Sequence, residues 1–397
     1  STQAGAESPD FQTILKEQPL ADVPIIPQHI WESIENPSEA TFDISTNVGS
    51  GPLKLVDYQP EQSYRFEANE DYFRGAPAID ELVVVIFAND TGALSAIRSG
   101  EIDVMFERVS PEQIELLDAQ DPLDIAQGPE FTTQMINFDV TKAPFDDVAV
   151  RQAINLAGER QDTVDTSYLG AATVGSPGWV HPNKDVYSPD VAPVHDVDAA
   201  NALLEEAGYT DSDGDGIREF DGQPMSFEML TNSEETLRLR ISELVSEMLG
   251  DIGIQLNVAS VESATWEEAV WPGFDVNNGR NYDIAAWGWS APVQANTIRV
   301  GQLVHGDTSK GFLNLTGFDD DQVNQLVEQL EVEGDPAEVE RLLDELQAQI
   351  AEKLPFVLLA YPDGAYVYNS DVYADWEFID GQGIVSKVSL LPQDARP

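Results

Sequence analysis

The chain has 397 residues, with 72 Asp and Glu against 20 Lys and Arg, and a formal charge of −52. A polyanion of this size excludes nucleic acid as a partner, and the lack of any cysteine excludes thiol catalysis, disulfides and Cys-ligated zinc. No run approaches the roughly 18 apolar residues that a membrane-spanning helix needs.

In chain order, Ser1–Asp10 is small and polar, without the apolar segment of a signal peptide. Ordered structure is expected to begin at Ile25–Trp31, and Gly49–Pro52 reads as a turn. Tyr64–Ala68 alternates as a short strand, and Leu82–Phe87 is an apolar run expected to form a buried strand. Gly92–Gly100 is expected to be a helix with Ala93, Leu94 and Ile97 inward. Ser110–Leu117 repeats the pattern, with Ser110 as cap and Pro111 at the first helical position. Gln134–Phe138 reads as a strand and Asp146–Ala157 as a helix. Asp196 or Asp198 caps a further helix that ends at Ala207 and Gly208. Glu235–Ile252 is the clearest amphipathic helix, with Leu237, Ile241, Leu244, Val245, Met248, Leu249 and Ile252 on one face. Ile254–Val258 follows as a strand. Asp320–Leu330 and Ala337–Leu354 form an acidic helix pair broken at Gly334-Asp335-Pro336, and Phe356–Tyr361 and Tyr366–Tyr368 close the chain as strands. Strands and helices alternate throughout, so the class is α/β or mixed α+β.

Two segments carry the chemistry. Tyr282–Ser290 contains Trp287-Gly288-Trp289, two large flat surfaces about a glycine that permits close backbone approach. This suits a concave aromatic site with a few fixed polar groups, although two packing tryptophans would give the same pattern. Asp211-Ser212-Asp213-Gly214-Asp215-Gly216-Ile217-Arg218-Glu219 has the D-x-D-x-D-G spacing of a calcium loop, with Asp211, Asp213, Asp215, Ile217 and Glu219 at ligand positions. The twelfth position is Gly222, where a bidentate Glu is required, so a structural hairpin turn competes with a weak calcium site. No other metal or cofactor is indicated. Among enzyme readings, Gly288-Trp289-Ser290-Ala291-Pro292 misses the last glycine of a nucleophile elbow, and the four histidines (29, 181, 195 and 305) have no zincin spacing.

The order of several segments resembles one family. Ile26-Pro27-Gln28-His29-Ile30, Gly49-Ser50-Gly51-Pro52-Leu53, Asn69–Asp80, Ala96-Ile97-Arg98-Ser99-Gly100-Glu101-Ile102-Asp103, Pro144–Ala153, Leu203–Tyr209 and Tyr282…Trp289 are similar to spaced motifs of the extracellular solute-binding proteins of peptide-type ABC importers, family 5. The resemblance implies a two-lobed periplasmic-binding-protein-like α/β fold of type II, with hinged lobes of mixed sheet and helices. Lobe I would hold residues 1–133, lobe II 134–361, and 362–397 would return to lobe I. The N-terminal half of lobe I, with its F-x-D-G-x-x-[FL]-x-A-x-D-V segment, has no counterpart here, so lobe I is expected to be incomplete. The resemblance also implies an extracellular monomer, with a lipid anchor upstream of Ser1. It would close around a peptide or peptide-like solute and dock on a permease. It places Trp289 in the pocket with Trp287, Gly288 and Ser290, and Asn137 and Asn296 as polar contacts. Where peptide binders place an acid for the ligand's amino group, this chain has Pro292, which cannot pair with an ammonium. A secreted halophilic hydrolase and a surface receptor that senses solute without transport are the alternatives.

The charge carries a physical expectation of its own. A compact chain at −52 repels itself in dilute salt, and in molar salt the Debye length falls to about 3 Å. The composition reads as that of a halophile protein. The thermal unfolding midpoint is therefore expected to rise steeply between 0.1 and 1 M KCl, the range over which the Debye length falls from about 10 to about 3 Å, as circular dichroism would record.

Overall fold

The computed structural model describes residues 27–32, 34, 44–295 and 297–396. Ile25, Ile26, Asn296 and the Ser1–Asp10 segment lie outside the described residues. The described chain falls into two compact units, one of residues 131–363 and one that takes in the described residues up to 130 and from 364 onward. The crossings lie at Glu130/Phe131 and Asp363/Gly364, against expected boundaries after 133 and 361.

The smaller unit opens with β1 (Leu53–Gln59), β2 (Ser63–Ala68) and β3 (Glu81–Val85), an antiparallel sheet in that order. The glycine-rich turn before β1 is held by Asn69, whose side-chain amide donates to the Gly51 carbonyl at 3.0 Å. Leu82–Phe87 was expected to be buried and is instead an edge strand, with Val83 and Val85 48% and 45% exposed. The contiguous apolar run is consistent with burial on both faces, but at the edge of this small sheet only alternate residues turn inward. Two helices follow, α1 (Asp90–Ser99) and α2 (Pro111–Asp118). Asn89 accepts the Gly92 N–H to cap α1, and Gly100 ends it at φ 72°, a left-handed conformation that favours glycine. Gln113 accepts the Ser110 N–H at 3.0 Å in the capping box of α2. β4 (Leu123–Pro129) completes this stretch.

The larger unit contains β5 (Gln134–Phe138), α3 (Val148–Ala157), β6 (Ala172–Val174), α4 (Val197–Glu206), the hairpin β7 (Glu219–Phe220) and β8 (Gln223–Pro224), β9 (Ser226–Asn232), α5 (Thr236–Gly250), β10 (Gln255–Val261), α6 (Ser263–Val270), β11 (Ile284–Trp287), α7 (Ala291–Ala295), α8 (Asp321–Val332), α9 (Pro336–Lys353) and β12 (Phe356–Asn369). Its sheet runs β10-β9-β11-β5-β12, with β6 beside β12. β9, β10 and β11 are parallel, and β5 is antiparallel to both neighbours. β12 is one strand where two were expected. It carries the chain into the smaller unit, where β4 is its neighbour.

The strand period of two divides the core. Ile136, Phe138, Ile284, Ala286, Val357 and Leu359 face α3, α4 and α5, while Met135, Ala285, Phe356 and Leu358 face α6, α8 and α9. Every residue of β5 is buried, so this strand is covered on both sides. Each of its large side chains contributes about 1.5–3 kcal/mol by leaving water.

Arginine side chains hold main-chain carbonyls inside this core. Arg151 of α3 donates to the carbonyls of Phe145 at 2.6 Å, Lys353 at 2.7 Å and Leu354 at 2.9 Å, which satisfies the end of α9. Arg160 donates to Leu358 at 2.8 Å, and Arg218 to Ile252 at 3.0 Å and Tyr209 at 2.6 Å. Burial lowers the Arg151 pKa to about 10, which leaves it charged at neutral pH. Replacing Arg151 by Met strands these acceptors. At about 1–3 kcal/mol for a stranded buried group, the variant is expected to lose about 3 kcal/mol in urea unfolding at molar KCl, and a loss below 1 kcal/mol would refute this role.

Candidate functional site

The parallel strands β9, β10 and β11 end at Asn232, Val261 and Trp287, and α5, α6 and α7 begin within a few residues of those ends. This carboxyl edge is where open α/β sheets bind ligands. Arg238 lies in the first turn of α5 and Trp266 in the first turn of α6, and both reach the residues that leave β11.

The tryptophans form one cluster. Trp287 stacks on Trp266 with centroids 4.3 Å apart. Trp289 meets Trp287 edge-on at 6.2 Å and Trp271 at 5.7 Å, and Trp271 meets Phe274 at 5.2 Å. The Arg238 guanidinium carbon sits 5.3 Å from the Trp287 ring centre, a cation–π contact. Its Nη1 donates to Asn232 Oδ1 at 2.9 Å, and Asn232 Nδ2 donates to Ser263 Oγ at 3.2 Å. The Glu234 carboxylate accepts the Ser263 N–H at 3.2 Å and its hydroxyl at 3.0 Å.

Gly288 is fixed by contact. A Cβ there would lie 2.1 Å from the Thr133 carbonyl oxygen. Around it, Thr133 N–H donates to the Trp289 carbonyl at 3.0 Å and Trp289 N–H donates to Thr133 Oγ1 at 2.7 Å. This lock sets the direction in which both indoles leave the strand.

Several buried donors at this edge have no protein acceptor: the indole N–H groups of Trp266, Trp271 and Trp287, Arg238 Nε, Gln134 Nε2 and Asn137 Nδ2. Buried polar groups are normally paired, and such exceptions call for an explanation. Burial also lowers the Arg238 pKa, against the opposing charge of Glu235.

The structure gathers some of the expected site residues and separates others. Trp287, Gly288 and Trp289 come together, Ser290 is exposed beside them, and Pro292 falls in α7. Asn137 pairs with Ala285 in the register that pairs Met135 with Trp287, so it shares that face but lies two residues deeper, 2% exposed. Arg238, Trp266 and Trp271 were not singled out from the sequence. Trp266 and Trp271 stand five apart in an acidic stretch, and only the fold shows where they point. The loop at Asp211, Asp213 and Asp215 is exposed, with carboxylate oxygens within 4.8 Å of one another. Asp211 accepts from Gly214 and Gly216, Asp213 from Asp215, Asp215 from Ile217, and Glu219 from Ser212, all backbone N–H groups.

A second buried cluster surrounds His181, whose ring lies 4.9 Å from Phe131 and 4.5 Å from Tyr361. Its Nδ1 accepts the Asn183 N–H at 3.0 Å. Lys184 donates to the Gln294 carbonyl at 2.7 Å and lies 5.3 Å from the Phe131 ring centre. Burial lowers Lys184 to about 8. Burial, and then the Lys184 charge, lower His181 to about 4.

Two expectations follow from this geometry. Gly288→Ala forces the strands apart and is expected to cost about 2 kcal/mol or more, as overpacking does, with a changed near-ultraviolet circular dichroism of the indoles; an unchanged spectrum would contradict the lock. His181 is neutral in the fold, so between pH 6.5 and its lowered pKa of about 4 the unfolded chain takes up the proton first and stability is lost as pH falls. That loss is at most about 3 kcal/mol, and His181→Gln is expected to remove it from the difference between urea unfolding curves at pH 7 and pH 4.5.

A model of the family described as "Bacterial extracellular solute-binding proteins, family 5 Middle" matches residues 4–310. The oligopeptide-binding protein AppA of Bacillus subtilis is 28% identical over 352 residues, which cover 87% of this chain and 62% of that protein. Heme-binding protein A of Haemophilus influenzae is 24% identical over 323 residues, covering 81% and 55%. The chain thus spans about half to three-fifths of the length of the curated relatives it matches. Among solved structures, AppA from Bacillus subtilis with a nonapeptide superposes with a TM-score of 0.71 at 24% identity, covering 91% of this chain and 71% of that one. A putative peptide-binding AppA from Clostridium difficile gives 0.76 at 20% identity, covering 92% and 71%. These likenesses carry the fold, a two-lobed periplasmic-binding-protein architecture of mixed α/β structure.

Proposed function

We propose that this chain, which belongs to the bacterial extracellular solute-binding proteins of family 5, captures a peptide or peptide-like solute outside the cell and passes it to the permease of an ABC importer. The indole cluster carries this reading. Several aromatic faces and unpartnered donors converge at the carboxyl edge of the parallel strands, the edge at which open α/β sheets take ligands. Relatives named for oligopeptides and for di- or tripeptides support the solute class. The chain works as a monomer at the cell surface, held there by a lipid anchor, and no described helix is long and apolar enough to cross a membrane.

The role is capture without turnover. Among the described residues no hydrogen bond joins Ser290 to a histidine: His181 and His305 accept backbone N–H groups, and His195 faces Glu159 at 3.7 Å. That leaves the rival hydrolase without a base for its serine. For the loop at Asp211, Asp213, Asp215, Ile217 and Glu219 the reading is a turn held by its own carboxylates, with calcium a weak guest. Millimolar calcium is therefore expected to move the unfolding midpoint by less than about 1 °C, because the closing carboxylate is missing.

The test of capture is to purify the protein from its host in molar KCl, denature it and identify any released small molecule by mass spectrometry. The wild type is expected to release one solute in near-stoichiometric amount. Trp287→Ala, which removes the stacked face, is expected to release about tenfold less, since an aromatic contact and its burial are worth more than 1.4 kcal/mol. A wild type that releases nothing, or that consumes an added peptide, would sink the reading.

A further inference from the structure

We propose that Asn89 is a modification site, the acceptor of an N-linked saccharide, and that the second triplet of the same form, at Asn314, is not. The inference goes beyond solute capture and rests only on the chain's passage out of the cell, as in the extracellular family to which it belongs. Asparagine followed two residues later by serine or threonine, with no proline between, is the acceptor pattern for this modification. The sequence has it twice, in Asn89-Asp90-Thr91 and Asn314-Leu315-Thr316.

The two asparagines have opposite surroundings. Asn314 is 4% exposed, with Leu315 and Thr316 buried beside it. Its amide nitrogen donates to the carbonyls of His305 at 3.1 Å and Phe318 at 2.7 Å, and its oxygen accepts from Thr316 Oγ1 at 2.9 Å and from the Gly317 N–H at 3.0 Å. Both hydrogens of that nitrogen are in use, and its burial leaves no path for a sugar. Asn89 and Thr91 are exposed. Asn89 Oδ1 accepts the Gly92 N–H at 3.0 Å, and among the described residues nothing accepts from Nδ2. The helix cap and the acceptor for a sugar are therefore different atoms of one side chain.

The transfer balances with a lipid-linked saccharide as donor and a membrane transferase as catalyst. Asn89 Nδ2 attacks the anomeric carbon. The N–C bond forms as the bond from that carbon to the phosphate oxygen of the lipid breaks. The lipid phosphate leaves with the electron pair, and one amide proton passes to a base of the transferase. The product amide keeps its oxygen, so the cap on α1 survives the modification.

The place of Asn89 in the fold gives the saccharide a role. It stands four residues past β3, on a groove of about 660 Å³ lined by Val83, Val85 and Ile86 together with Met105, Phe106 and Trp376. Among the described residues β3 is an edge strand, and Val83, Val85 and Ile86 are half-exposed on it and just beyond it. Apolar edge strands invite pairing with other chains, and charges commonly blunt them. With 72 acids in the chain, residues 82–89 carry no charge. A bulky, hydrated group at Asn89 covers this edge where acids do not.

The test uses the protein purified from the surface fraction of its host in molar KCl, digested with trypsin and mapped by mass spectrometry. Cleavage after Arg74 and Arg98 puts Asn89 in residues 75–98, and cleavage after Lys310 and Arg341 puts Asn314 in residues 311–341. The first peptide is expected to carry a saccharide on Asn89, with sugar fragment ions, and the second to have its bare sequence mass. Asn89→Asp and Thr91→Ala are each expected to return the first peptide to its bare mass, and Thr91→Ser to keep the saccharide. Aspartate caps a helix as asparagine does, so a matching unfolding midpoint for Asn89→Asp separates a lost acceptor from a lost fold. If residues 75–98 have their bare mass in wild-type protein taken from the surface, if the saccharide sits on 311–341, or if it persists in both Asn89→Asp and Thr91→Ala, the proposal is overturned while capture stands. If the wild type never leaves the cytoplasm, both fall.

Discussion

The site depends on the contact between Gly288 and the Thr133 carbonyl. Here β5 and the exit of β11 approach so closely that no side chain fits at 288, and paired backbone and hydroxyl hydrogen bonds close the gap from both sides. From this point Trp287 and Trp289 diverge at nearly a right angle, each to a different partner, Trp266 and Trp271. β5 in turn is rigid because the sheet buries it on both faces. Local backbone geometry, sheet packing and the presentation of the indoles are thus one linked arrangement. In the proposed capture role, a face fixed in this way would need little reorganisation when a solute arrives, which limits the ordering cost of association.

Much of the scaffold was legible in the sequence. Several helix ends were announced: Gly100 closes α1, Asp196 begins α4, and Gly334-Asp335-Pro336 separates α8 from α9, whereas the Asn89 cap of α1 went unread. The motif around Pro144–Ala153 proves structural, with Phe145 in the core, Asp147 capping α3 and Arg151 closing α9. The edge strand β3 misled because a run of valines has no period of its own. The site was half legible. Trp287-Gly288-Trp289 stands out by composition, but Arg238, Trp266 and Trp271 are 16 to 49 residues upstream of Trp287 in the chain. Only the parallel register of β9, β10 and β11 brings their helix starts to one edge. A single sequence contains no signal for that meeting.

The interior cations are tied chiefly to the backbone. Arg151, Arg160 and Arg218 each donate to peptide oxygens. Peptide carbonyls do not titrate, and a buried hydrogen bond to one is screened little by salt. These links between α3 and the end of α9, and between the Asp211 loop region and the end of α5, are therefore insensitive to the identity of the residues outside them.

The result is a division of labour between interior and surface. Because the internal ties are made to the backbone, which every residue supplies, substitutions that add or remove surface acids leave them intact. The number of surface acids can therefore change while the same inner framework presents the same aromatic face.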